Sequence, residues 1–271
     1  MTRQFIDIEP AVRLRVAIDD YTDPWRPAET VVMVHGMGQN LEAWRGWVPY
    51  LARAFRVVRF DTRGFGESPP PPEDAVWSTE RLLADMEAVM DFAGCRSAHL
   101  VGAQSGGALV LAMAARKPER VQSVVAVTPM VVGTPSVPRW LEQIEAEGVH
   151  AWARATMGNR LGSGASKEQV DYWVDYVQGK TPLATLRGYL RWAPHVDVRP
   201  ELPQVKCRTL VMTTVGSSLR SPDAVKAWQE KLQNSELMVI DGDAWAPAAA
   251  YPDICAPAAE RFLSNIAGDR K

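Results

Sequence analysis

One short turn concentrates the residues of this chain whose types could do chemistry. Gly102-Ala103-Gln104-Ser105-Gly106-Gly107 brings an amide, a hydroxyl and three glycines together. Glycine lets backbones approach closely, a primary amide both donates and accepts, and a serine hydroxyl becomes a nucleophile only beside a base. The turn lacks the lysine of a phosphate-binding P-loop and the spacing of the G-x-G-x-x-G dinucleotide fingerprint. Candidate bases are limited to the 4 histidines, His35, His99, His150 and His195. Of these, His195 in Trp192-Ala193-Pro194-His195 is the candidate replacement base, and Asp241 and Asp243 are carboxylates that could serve a site near Trp245. No His, Cys, Asp and Glu spacing matches a metal centre, so neither metal nor cofactor is expected.

These residues need a scaffold, and the pattern of the chain supplies one. Residues 11–19 alternate as an exposed antiparallel strand does, whereas Thr30–Val34 is a continuous apolar run ending in His35-Gly36, as suits a strand buried on both faces. Glu42–Ala54 has helical periodicity, Phe55–Phe60 reads as a strand, Thr79–Phe92 as an amphipathic helix and Ala98–Val101 as the strand entering the glycine turn. Ala108–Ala115 continues as a helix and Val121–Val127 as a strand. From Pro129 to about Pro203 only helical stretches are found, at Pro138–Glu147, Ala151–Met157, Lys167–Val177 and Pro182–Trp192. Alternation then resumes with strands Thr209–Val215 and Leu237–Ile240 and helices Asp223–Leu232 and Ala256–Ile266. This order predicts a doubly wound, mostly parallel sheet with a helical insertion over its ligand-binding edge.

Composition narrows the function. The chain has 271 residues, 46% hydrophobic and 23% charged, with a formal net charge of −2. That is an ordinary globular balance for one α/β domain, without the basic stripe that nucleic acid or anionic membrane would require. The 3 cysteines, Cys95, Cys207 and Cys255, read as free thiols. The start, MTRQFIDIEP, shows no apolar signal region, and no apolar run is long enough for a bilayer, so a cytoplasmic location is expected.

Four segments carry a resemblance: VMVHGMG at Val32–Gly38, FDTRGFGES at Phe60–Ser68, HLVGAQSGG at His99–Gly107, and DGDAWAP before the last helix. Together they resemble the α/β-hydrolase superfamily over essentially the whole chain, nearest to its capped small-molecule hydrolases. The resemblance implies an α/β-hydrolase fold, with a helical cap (129–203) inserted after the sixth strand of a core formed by 1–128 and 204–271. It also puts Gln104 at the nucleophile of the G-x-Nuc-x-G elbow, with Ser105 one position late, and Trp245 at the histidine. The acid turn reads Gly216-Ser217-Ser218-Leu219-Arg220-Ser221-Pro222, without a carboxylate, and the alternative place, Thr128-Pro129-Met130, has none either. A primary amide cannot attack a carbonyl, and an indole cannot take a proton at neutral pH.

By the same resemblance, the backbone N–H groups of Met37 and Ser105 form an oxyanion hole, which needs no particular side chain. His35 is expected to be structural, and Asp61 a loop residue. Gln104 and Trp245, with Met130, Trp140 and Trp192, are the expected contacts for a small, aromatic or carbonyl-bearing ligand. Three readings follow. The preferred one is an enzyme without the Ser–His–acid triad, of lyase, decarboxylase, isomerase or cofactor-free oxygenase type. The alternatives are a non-catalytic ligand-binding pseudoenzyme and a hydrolase with an unidentified nucleophile. Apolar cap surface would allow a homodimer.

Overall fold

The computed structural model describes residues 4–72, 74–134 and 136–268. Its strands are β1 (Gln4–Glu9), β2 (Val12–Asp19), β3 (Thr30–Val34), β4 (Arg56–Phe60), β5 (Ala98–Ala103), β6 (Val121–Val127), β7 (Arg208–Thr214) and β8 (Ser235–Ile240). They form one 8-stranded sheet in the order β1-β2-β4-β3-β5-β6-β7-β8. β2 runs antiparallel to both β1 and β4, and all the other pairings are parallel.

The apolar runs behave as a period of two requires. Val32 and Val34 point into one layer, with Leu82, Met86 and Leu109, while Val31 and Met33 point into the other, with Trp47, Phe262 and Leu263. Every residue of β3 and β5 is therefore buried. Chain order reverses between β3 and β5, because β3 leads outward to β4 and the chain then returns to β5 on the other side. The crevice at such a switch point is where open α/β sheets bind ligands. The loops after β3 and β5, which carry His35–Gly38 and Gln104, open onto it.

Two elements differ from the sequence reading. Glu42–Ala54 is not one helix. A 3₁₀ turn at Leu41–Trp44, capped by the Asn40 side chain, gives way to a short helix at Val48–Leu51. The break lies at Gly46, where a Cβ would stand 2.8 Å from Pro252 Cβ, and on either side of it Trp44 and Trp47 are both buried. β1 is an additional edge strand, paired with β2.

Between β6 and β7 lie the helices Val137–Glu147, Val149–Leu161, Lys167–Tyr172 and Leu183–Trp192, with a π-helical turn at Trp173–Val177. An isolated bridge, Val132 to Asp197, joins the two ends of this segment. Among the described residues no helix is long and apolar enough to cross a membrane.

Candidate functional site

Gln104 sits at the tip of β5 with φ 53° and ψ −115°, directly before the helix Ser105–Arg116. A side chain at positive φ is strained and persists only where its surroundings hold it. Here they do. A Cβ on Gly102 would fall 2.4 Å from Gly106 O, and one on Gly106 would fall 2.2 Å from Val34 O, so strand, turn and helix meet backbone to backbone. A Cβ on Gly36 would meet Gln104 Oε1 at 2.5 Å. The bare glycine therefore leaves room for the amide, which makes no capping bond to its helix.

The facing loop is locked by His35. Its Nε2 accepts a bond from Thr62 N–H at 3.0 Å, which leaves Nδ1 protonated to donate to Gly36 O at 2.8 Å. Gln39 Oε1 accepts from Gly36 N–H at 3.0 Å. Burial pushes His35 down to about 4, so it is a neutral structural imidazole that uses both ring nitrogens internally. Asp61 holds the neighbouring loop by accepting from Leu41 N–H at 2.6 Å and Glu67 N–H at 2.8 Å. Neither Met37 N–H nor Ser105 N–H donates to another group among the described residues.

Over this floor the helical segment encloses a chamber. Met37, Gln104, Ser105, Met130 and Trp140, all expected at the site, do line it together. Its free volume is only about 30 Å³, room for one or two waters. Tyr189 closes it beside Ser105. Burial pushes the Tyr189 phenol up, and the Ser105 hydroxyl opposes that shift. Ser105 Oγ is itself buried without a well-formed hydrogen bond.

Three expected residues lie elsewhere. His195 is exposed and, with Trp192, lines an outer groove beside Trp77 and Arg191 rather than the chamber. The helix Leu183–Trp192 turns its inner face at Tyr189, against which Trp192 packs edge-on at 4.9 Å, and the 3₁₀ turn Ala193–His195 then carries the imidazole outward. His195 is thus unavailable as a base at Gln104. Trp245 does not line the chamber. Its Nε1 donates to Ser218 Oγ at 2.7 Å, and its ring lies 6.0 Å from the guanidinium of Arg160, a residue that does line the cavity. Asp243 accepts from Ser163 N–H, and Asp241 is exposed.

Among the lining residues that the sequence reading missed, two are charged, Arg160 and Arg220. Arg160 is 5% exposed. Its Nε donates to Gln178 Oε1 at 3.0 Å, its guanidinium stacks on Trp152 at 4.9 Å and Trp140 at 5.8 Å, and its Nη2 has no partner. Arg220 Nε donates to Pro129 O at 3.0 Å. Burial alone pushes both down to about 10, with no carboxylate opposing it, so both remain charged at neutral pH. The sequence did carry a signal for Arg160. It falls in phase with Val149, Trp152, Ala153 and Met157 on the buried face of its helix.

A buried cation without a counter-ion costs stability. Arg160→Met, similar in length and apolar, is therefore expected to raise the unfolding free energy of the ligand-free protein by about 1–2 kcal/mol, after loss of the Gln178 bond and the ring contacts. Urea denaturation at pH 7 measures this, and a destabilised variant would mean that the indoles and Gln178 compensate the charge fully.

Comparison with known proteins bears on the family. The model of the alpha/beta hydrolase fold family matches residues 29–246. Bifunctional epoxide hydrolase 2 of Sus scrofa is 35% identical over 139 residues, 51% of this chain, and the match spans 24% of that protein's length. The pimeloyl-[acyl-carrier protein] methyl ester esterase of Aeromonas hydrophila is 26% identical over 254 residues, 86% of this chain and 94% of that protein. In structure, the enol-lactonase from Burkholderia xenovorans LB400 superposes with a TM-score of 0.87 at 23% identity, covering 96% of this chain and 100% of the other. At that identity the superposition shows the fold alone. With the central switch point, the glycine turn after β5 and a family match across most of its length, this chain belongs to the α/β hydrolase fold family.

Proposed function

We propose that this protein binds a small molecule in the chamber between the β5 turn and the helices 137–192, and does so without the nucleophile–base chemistry of its relatives. One observation carries the reading. Among the described residues, the chamber lining contains an amide at the turn and two arginines, but no histidine, carboxylate or cysteine. With no base in reach, Ser105 stays a neutral hydroxyl and Gln104 offers only hydrogen bonds. In this reading the triad is degenerate, with Gln104 and Trp245 at the nucleophile and base positions and Leu219-Arg220 in the acid turn. Residues 129–203 act as a cap over the core.

A second reading, turnover without a triad, draws on a separate observation. The free N–H groups of Met37 and Ser105 flank the chamber as an oxyanion hole would, and such donors alone stabilise a developing oxyanion by about 3 kcal/mol. That is enough for modest chemistry on a substrate able to react without a base.

The test is a thermal-shift screen of small molecules, followed by mass spectrometry of each hit after long incubation. Hits are expected to raise the midpoint and to stay chemically unchanged. Gln104→Ala is expected to weaken them about 3–10-fold, the worth of one hydrogen bond. Conversion of a hit, lost in Gln104→Ala, would shift the account to the second reading.

A further inference from the structure

Arg220 faces two spaces. Besides the inner chamber it lines an outer groove of about 390 Å³, and the two spaces also share Thr134 and Leu219 as walls. The outer groove is walled mainly by Val131, Val132, Ala224, Val225 and Trp228. The inner space of about 30 Å³ is too small for a whole organic ligand but large enough for a head group the size of one or two waters. Its polar equipment is cationic: a nine-tenths-buried guanidinium with a free Nη2, a second guanidinium, and the amide of Gln104. Among the described residues no carboxylate pairs with this buried charge, and the indoles around Arg160 steady it without neutralising it.

We propose that the inner chamber takes the carboxylate of a small amphipathic monocarboxylic acid, held by Arg160 and Arg220, with the acid's apolar body in the outer groove. This rests on the reading of the chamber as a ligand site and names the class of ligand. A planar, singly charged carboxylate matches the guanidinium fork and needs few other donors. A phosphate would bring more oxygens than this apolar-walled space can satisfy. The neutral walls beyond Leu219 fix the polarity of entry, head group inward and hydrocarbon outward.

The test is calorimetric titration of the intact protein with octanoate and phenylacetate, beside octanamide and phenylacetamide, which keep the shape and remove the charge. The acids are expected to bind at least tenfold more tightly than the amides. Arg160→Met and Arg220→Met are each expected to weaken the acids at least tenfold, an effect of about 1.4 kcal/mol or more, and to weaken the amides by less, so that the preference for acid over amide narrows. Arg160→Met is expected to be the more stable protein, so loss of binding there is not loss of fold. Acid and amide binding equally would overturn the anion site while leaving the chamber a ligand site. Inorganic phosphate binding more tightly than either acid would overturn the carboxylate assignment. No binding by any of the four would overturn both the anion site and the reading on which it rests.

Discussion

Gly106→Ala is expected to destabilise the protein by more than about 4 kcal/mol, leaving little of it folded, although it adds only one methyl group. The added carbon would stand 2.2 Å from Val34 O and 2.6 Å from His35 O. Both are backbone atoms at the end of β3, which is hydrogen-bonded on either side to β4 and β5. Relief would require the helix Ser105–Arg116 to move off the sheet, breaking a core that includes Leu109, Val110 and Met113. The control is Gly158→Ala. Gly158 lies within a helix with nothing inside 4 Å of its added Cβ, and that substitution is expected to stabilise by about 0.5–1 kcal/mol. Chemical denaturation of the pair decides the matter. A loss below about 1 kcal/mol in Gly106→Ala would show that strand and helix can separate at the turn without cost.

Acid is expected to remove a stabilising contribution from His35 of up to about 3 kcal/mol. The unfolded imidazole titrates near its model value of 6.5, whereas the folded one is pushed down to about 4. The folded pKa is the lower, so the contribution is complete above pH 6.5 and is lost as pH falls through the folded value. Protonation would place a second N–H where Nε2 now accepts from Thr62, in a buried site that penalises the charge. Asp61, pushed up to about 6 by burial, titrates in the same window with the opposite sign, so the wild-type profile alone mixes the two. His35→Gln isolates the imidazole, since it keeps an acceptor and cannot ionise. The stability gap between wild type and His35→Gln is expected to be widest at pH 7 and to close toward pH 4. A gap that does not change with pH would mean that His35 ionises as freely in the folded state as in the unfolded.

The sequence displayed the scaffold more clearly than the site. β3 is an almost continuous apolar run, and β5 and β6 are mostly apolar, because helices cover both faces of the sheet, and that burial shows in residue type. Met37, Gln104, Ser105 and Met130 were legible because each lies within three residues of a strand end that the motifs locate. Trp192 and His195 were misplaced because a helical insertion fixes its own rotation by packing, and local periodicity does not say which stripe faces the crevice. Trp140 and Trp192 lie in similar sequence surroundings, yet only Trp140 reaches the chamber. Arg160 was missed because an isolated arginine near a helix end normally reads as solvated surface. Only its phase with Trp152 and Met157 marks it as buried. Arg220 was visible within the acid turn, where attention to the missing carboxylate concealed the cation standing beside that position.

The most direct test of a chamber that binds without nucleophilic chemistry is intact-mass spectrometry after prolonged incubation with a fluorophosphonate, which loses fluoride and marks any serine activated for attack. The account predicts an unchanged mass at pH 7 and pH 9, because Ser105 has no base and Gln104 no nucleophilic atom. A single stoichiometric adduct mapping to Ser105, or to any other residue of the chamber, would contradict it and return the protein to the hydrolases it resembles.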